Sequence, residues 1–219
     1  NGAARLKEPA LPIKNIQMRA NISKKDILVK QASLDIGEGT IKASGAINDY
    51  PGAQEYHFDV DAQNLKIQDL IAQSASPIKT EGIASGNMQL NGRGFTPQAL
   101  KSGLSGNANI EIVQTKLKNI NILRTALDKI SIIPGLAEKI EAGLPENFQH
   151  KLSLSDTTIS DIKLPITLEN GTALITNLLV KADEFTFNGD AQAGLDSSYS
   201  AQGILFIPQA LAESIAAQV

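Results

Sequence analysis

At 219 residues the chain has the length of one large β domain or two small ones, with enough residues for a sizeable core. Hydrophobic residues make up 42% and charged residues 20%, but aromatics only 4% with no Trp, so a core must be built from Leu, Ile, Val and Ala. A net charge of −3 without clustered Lys or Arg argues against nucleic acid, and the lack of Cys excludes disulfides, thiol nucleophiles and Cys-bound zinc.

Residues up to about 14 read as an irregular lead-in, because Pro9 and Pro12 oppose regular structure. Ile16, Met18, Ala20 and Ile22 then alternate with Gln17, Arg19 and Asn21, giving a strand with one apolar and one polar face. A second strand is expected over 26–36. Gly37-Glu38-Gly39 turns it into a third, with Ile41, Ala43, Gly45 and Ile47 on one face. Asn48-Asp49-Tyr50-Pro51-Gly52 is the next turn, and Tyr56, Phe58, Val60 and Ala62 follow at period two. A short helix over 65–74 breaks at 74–77, and a strand runs through Gly86, Met88, Leu90 and Gly92. Thr96 as N-cap and Pro97 at the first helical position open a helix that Gly103 ends. Residues 105–113 return to strand, with Gly106, Ala108, Ile110 and Ile112 facing one way.

Ile122, Leu123, Ala126, Leu127 and Ile130 recur at helical spacing, Pro134-Gly135 interrupts, and Leu136, Ile140 and Leu144 continue. Two amphipathic helices are expected, over 119–131 and 135–142, placed to cover the open face of the sheet or one end of it. Leu152 and Leu154, then Ile162, Leu164, Ile166 and Leu168, read as strand, with a turn at Glu169-Asn170-Gly171 and another strand over 172–181. The cleanest alternation is Phe185, Phe187, Gly189, Ala191, Ala193 and Leu195 against Thr186, Asn188, Asp190 and Gln192. A last strand covers 199–207 and a terminal helix 208–217. Residues 35–48 parallel 179–192 as strand, turn and strand, an internal repeat.

The fold class these elements predict is mainly β (α+β): a long curved antiparallel sheet, a groove of repeated hairpins, with three to five short amphipathic helices packed on or capping it. Residues 1–75 read as a β-meander repeat with its lead-in. Residues 76–219 read as a β-groove region with helices near 97–103, 119–142 and 208–217, the whole forming one continuous sheet.

No constellation carries catalytic chemistry. His57 and His150 lack convergent partners by spacing and read as surface residues. Asp59 and Asp61 share a strand face, but the calcium-loop glycine and terminal Glu are missing, so a solvated face is the preferred reading. Gly92-x-Gly94 meets Pro97 where a phosphate loop would need a third glycine, and serves a turn instead. No Gly-x-Ser-x-Gly elbow is followed by an acid and a His. Catalytic residues, metal ligands and cofactors are therefore all expected to be none. What remains is the apolar face: Ile41, Ala43, Ile47, Phe58, Val60, Met88, Leu90, Ile110, Ile112, Phe185, Phe187 and Leu195. Ordinary core and a groove wall for acyl chains demand the same side chains, and both readings stay open.

The run Leu90-Asn91-Gly92-Arg93-Gly94-Phe95-Thr96-Pro97-Gln98-Ala99-Leu100 is followed by Leu104-Ser105-Gly106-Asn107-Ala108 and Thr115-Lys116-Leu117-Lys118-Asn119-Ile120. With Leu168-Glu169-Asn170-Gly171, Leu178-Leu179-Val180, Gly189 and Leu195-Asp196, this order resembles the C-terminal region of the AsmA superfamily over about residues 82–208. Lys116 and Asn119 stand where that family has glycines. The resemblance implies a non-enzymatic bacterial envelope protein, held in the inner membrane by an N-terminal helix, with a periplasmic β-groove implicated in outer-membrane assembly and lipid movement. Phospholipid or another lipid, the inner membrane and other envelope proteins are its implied partners.

No apolar run approaches the roughly 20 residues that span a bilayer, no signal peptide is present, and the chain opens Asn1-Gly2-Ala3-Ala4 without Met. It reads as a segment of a longer protein, with any anchor elsewhere. Two functions are carried forward: a lipid-binding or lipid-conducting groove, and a structural or protein-interaction module whose sheet face is plugged by residues 122–144. A hydrolase of envelope polymers is the least favoured, for want of paired carboxylates or a triad.

Overall fold

The computed structural model describes residues 2–5, 12–71, 79–130, 136–194 and 198–217. Its strands are β1 (Gly2–Arg5), β2 (Pro12–Ile22), β3 (Ile27–Ile36), β4 (Gly39–Asn48), β5 (Glu55–Lys66), β6 (Lys79–Arg93), β7 (Ser105–Lys118), β8 (Thr157–Glu169), β9 (Thr172–Lys181), β10 (Thr186–Gly194) and β11 (Tyr199–Phe206). They form one eleven-stranded sheet in which spatial order equals chain order and the neighbours run antiparallel. The molecule is mainly β, an open curved antiparallel sheet with six short helices. The strands on either side of residue 75, β5 and β6, are directly paired, from Glu55↔Arg93 to Lys66↔Ile83.

Turn chemistry explains the meander. Asn170 (φ 49°) and Gly171 (φ 74°) close β8 onto β9 as a two-residue loop with both residues left-handed, the geometry that matches strand twist. In the β4–β5 connection Asp49 accepts a hydrogen bond from the Ala53 N–H at 2.7 Å.

The alternation is broken once in each of five strands. In β2 the apolar positions are Ile13 and then, past Asn15 (φ 51°), Ile16, Met18, Ala20 and Ile22. Val29 gives way to Ala32 in β3, Ala62 to Leu65 in β5, Ile112 to Thr115 in β7 and Ile175 to Leu178 in β9, each across a change of register. Asn64, Gln114 and Asn177 sit at three of these breaks with φ of 55°, 53° and 59°. A bulge adds one residue and so returns the next apolar side chain to the same face, while increasing local twist and bending the strand. Pro165, which cannot donate to a ladder, lies where the β8–β9 register shifts between Lys163 and Ile166.

Helix α1 (Ile67–Ile71) follows β5 directly, and α2 (Pro97–Gly103) joins β6 to β7, with the Thr96 hydroxyl accepting from the Ala99 N–H and Pro97 in the first turn. The next three are α3 (Ile122–Ile130), α4 (Leu136–Gly143) and α5 (Glu146–Ser153); α6 (Gln209–Ala216) follows β11. Leu123, Leu127, Ile140, Leu144, Phe148, Leu152 and Leu211 make a core for α3–α6 that, among the described residues, contains no strand residue. Among the described residues, α1 and α2 lie against β5 and β6, whereas α4 packs on α5 and α6.

Four expectations are corrected. The lead-in contains β1, and β2 already begins at Pro12, because Pro costs nothing at the first residue of a strand. The helix expected over 65–74 starts only at Ile67, since Leu65 pairs with Ala84 and remains strand. The strand at Leu152 and Leu154 is instead α5 up to Ser153, whose Phe148 and Leu152 at helical spacing enter the helical core; His150 thus lies on a helix. That helix raises the count above the three to five expected. Residues 74–77, Pro134, Gly135 and Leu195 lie outside the described residues.

Candidate functional site

Directly opposed residues in an antiparallel ladder share a face, so the registers assemble rows across the sheet. One row is Met18, Ala32, Ala43, Val60, Met88, Ala108, Ile166, Ile175, Ala191 and Ala201, one residue from each strand β2–β11. The next is Ala20, Val29, Gly45, Phe58, Leu90, Gly106, Leu168, Ala173, Ala193 and Tyr199. Neither row contains a charge or an amide. Ten strands at about 4.8 Å spacing carry each row across roughly 43 Å. A third row, Leu65, Ala84, Ile112, Ile162, Val180, Phe187 and Leu205, covers β5–β11.

These rows gather Ala43, Phe58, Val60, Met88, Leu90, Ile112 and Phe187 of the predicted groove residues. Ile41 and Ile110 share a further row through Ala62 and Gly86, and Ile47 pairs with Tyr56. Phe185 precedes β10, is buried to 3% exposure, and borders the same crevice as Leu123 at the helical end. The rows also contain residues not named among the groove candidates, among them Ala32, Ile162, Ile166, Ile175 and Val180. Their alternation was visible, but the opposing partners depend on register.

Aromatic rings occupy the space beside glycines of this face. A Cβ at Gly45 would fall 2.6 Å from Phe58 Cδ1, and one at Gly189 would fall 2.8 Å from Phe187 Cζ, which also overhangs Gly203. The Tyr56 ring overhangs Gly92 and stacks on Phe95 at 4.9 Å; burial raises its hydroxyl pKa, and that oxygen has no hydrogen-bond partner among the described residues. Ala108 and Val29 are buried in mid-sheet, but Met18 and Tyr199 at the two ends of the rows are 70% and 87% exposed.

The opposite face is largely polar, with rows such as Ser33, Lys42, Asp61, Asn87 and Asn109, and Ser44, Asp59, Gln89, Asn107 and Thr167. Two open clefts of about 500 and 700 Å³ are lined mainly by this face. His57 stands there, its Nδ1 2.7 Å from Asn91 Oδ1 and its Nε2 3.5 Å from Asp59. Among the described residues no three His, Asp or Glu side chains are grouped to hold a metal ion.

Polar contacts hold the helices at one end of the sheet. Lys151 of α5 meets Glu184 at 2.6 Å and Asp183 at 3.3 Å, and the contact with Glu184 is the main cause of its raised pKa. Asn121 donates to the Leu154 and Lys151 carbonyls at 2.8 and 2.9 Å, while Arg124 reaches Glu141 at 3.0 Å. Asp156 accepts from the Asn119 N–H at 2.8 Å and pairs with Lys116 at 3.0 Å, which together hold its carboxyl below the usual range. Leu123 and Leu127 thus face the helical core and the helices sit at the strand ends; the side chain of Ile130 is outside the described residues.

No described helix is long and apolar enough to cross a membrane. No curated protein and no solved structure matches the chain. The model of the AsmA family matches residues 2–189, from β1 into β10. The chain belongs to the AsmA family, which is associated with the bacterial envelope.

Proposed function

We propose that this chain is a periplasmic segment of a protein anchored in the inner membrane, and that its apolar sheet face binds or conducts phospholipid acyl chains in support of outer-membrane assembly. The observation that carries this reading is the pair of uncharged rows crossing ten strands, while the described residues of α3–α6 bury their apolar side chains in a core of their own. Each methylene laid against such a face and removed from water gains about 0.8 kcal/mol. One bilayer leaflet's hydrocarbon is about 15 Å thick, so the rows accommodate an extended chain several times over. Headgroups stay at the wet margin, and no covalent step is required.

The helical core closed on itself supports this reading over a plugged structural module. The test is organic extraction and mass spectrometry of protein purified without detergent. Near-stoichiometric phospholipid is expected. A clean, folded protein that ignores added fluorescent lipid would overturn the reading. Ile110→Asp and Phe187→Asp should lose lipid while retaining the β circular-dichroism spectrum; outright unfolding would mark the face as a closed core.

A further inference from the structure

The two edges of the sheet are unlike. On one side, β1 covers β2 only from Pro12 to Ile16, and the edge left open beyond it, from Gln17 to Ile22, carries one charge, Arg19, at its middle. On the other, β11 (YSAQGILF) has no charge, no Pro and no register break. Seven of its eight residues are exposed, with Tyr199 at 87%, Ile204 at 62% and Phe206 at 51%. Unpaired edges template further strands, and folded proteins ordinarily block them with charge, Pro, bulges or brevity. β11 has none of these devices.

The backbone geometry says which residues offer themselves. The Gly194 N–H bonds the Ser198 carbonyl, so by antiparallel alternation Ser200, Gln202, Ile204 and Phe206 turn their backbone groups toward β10. Tyr199, Ala201, Gly203 and Leu205 turn theirs outward, where the described residues supply no further strand.

We propose that β11 pairs antiparallel with β11 of a second copy of this chain, about a two-fold axis through Gln202. In that register Ala201 opposes Gly203 and Tyr199 opposes Leu205, so all four outward residues pair and all four belong to the apolar face. A two-fold perpendicular to the sheet keeps both apolar faces on the same side, and the rows continue from one copy into the next. The uncharged strand meets itself without like-charge repulsion. The contact is isologous and closes at two, because the two-fold uses up the β11 edge of both copies. The choice of a second copy rests on the strand's lack of charge and on the placing of its outward residues on the apolar face, which the two-fold carries over unchanged.

The native chain has no Cys, so single cysteines report cleanly. Residues at a non-hydrogen-bonded antiparallel pair have Cα atoms about 4.5 Å apart, within disulfide reach. Gln202→Cys should form a covalent dimer on mild oxidation, and Ser44→Cys on the same face in mid-sheet should not. Sedimentation of the native chain should show twice the monomer mass. Ala201→Pro, which removes only an outward N–H, and the pair Ser200→Lys with Ile204→Lys should return it to monomer with unchanged circular dichroism. Ser200→Lys with Ile204→Glu, which places opposite charges across the axis, should restore the dimer. A native chain that stays monomeric at high concentration overturns the assignment and leaves the edge to a foreign strand. A dimer indifferent to all these substitutions overturns it equally.

Discussion

Glycines and bulge residues carry more of this fold than its large side chains do. Gly45 has the Phe58 ring over it and the His57 carbonyl beside it, so any Cβ must displace backbone. Gly45→Val should therefore cost about 1–3 kcal/mol, read as a lowered urea midpoint with unchanged slope, whereas Ala43→Val on the same strand should cost less. Asp156 gives a pH test. Its carboxyl pKa is lowered from 3.8 in the fold, first by the Asn119 N–H and then by Lys116. Its stabilisation is thus full above the unfolded value and lost as pH falls through the lower folded one. Asp156→Asn should melt earlier than the parent at neutral pH, and the two melting curves should converge in acid. Thermal melts between neutral pH and acid decide this; a gap that widens in acid contradicts the assignment.

At the scale of elements, the helices behave as a unit beside the sheet. Ile140 and Leu211 are fully buried, and both belong to the α3–α6 core. Ile140→Ala should cost about 2–5 kcal/mol of that unit's stability. Hydrogen exchange should quicken across α3–α5 while β3–β7 keep their protection; uniform loss of protection would mean that sheet and helices unfold together. The Lys151–Glu184 contact ties this unit to the β9–β10 turn, with Glu184 nearly buried. Lys151→Met leaves that carboxylate without its cation and should loosen α5 first, seen as local exchange ahead of global unfolding.

At the scale of the molecule, the continuous rows make position across the sheet matter less than face. Val60→Asp, in mid-row, should abolish phospholipid retention, while Asp59→Ala on the next residue and the other face should leave it intact; equal effects would detach lipid from the apolar face. Period-two alternation, Asn-Gly turn chemistry and the Thr96-Pro97 start are local properties, and for that reason the meander, its turns and α2 could be read from the chain. The same local reading failed at Leu152, where two leucines at i and i+2 looked like strand but Leu152 serves a helical core that also draws on Leu123, Leu127 and Leu211, far off in the chain. It stopped at Val113 because alternation lapses at Gln114, although β7 continues to Lys118 once the bulge restores the face. The sequence by itself determined that the strands have one oily side and where most of their turns fall. Only the tertiary structure decided which residues share a row, where the helices sit and which edge stands open, because register, bulge phase and docking are set by partners distant in the chain.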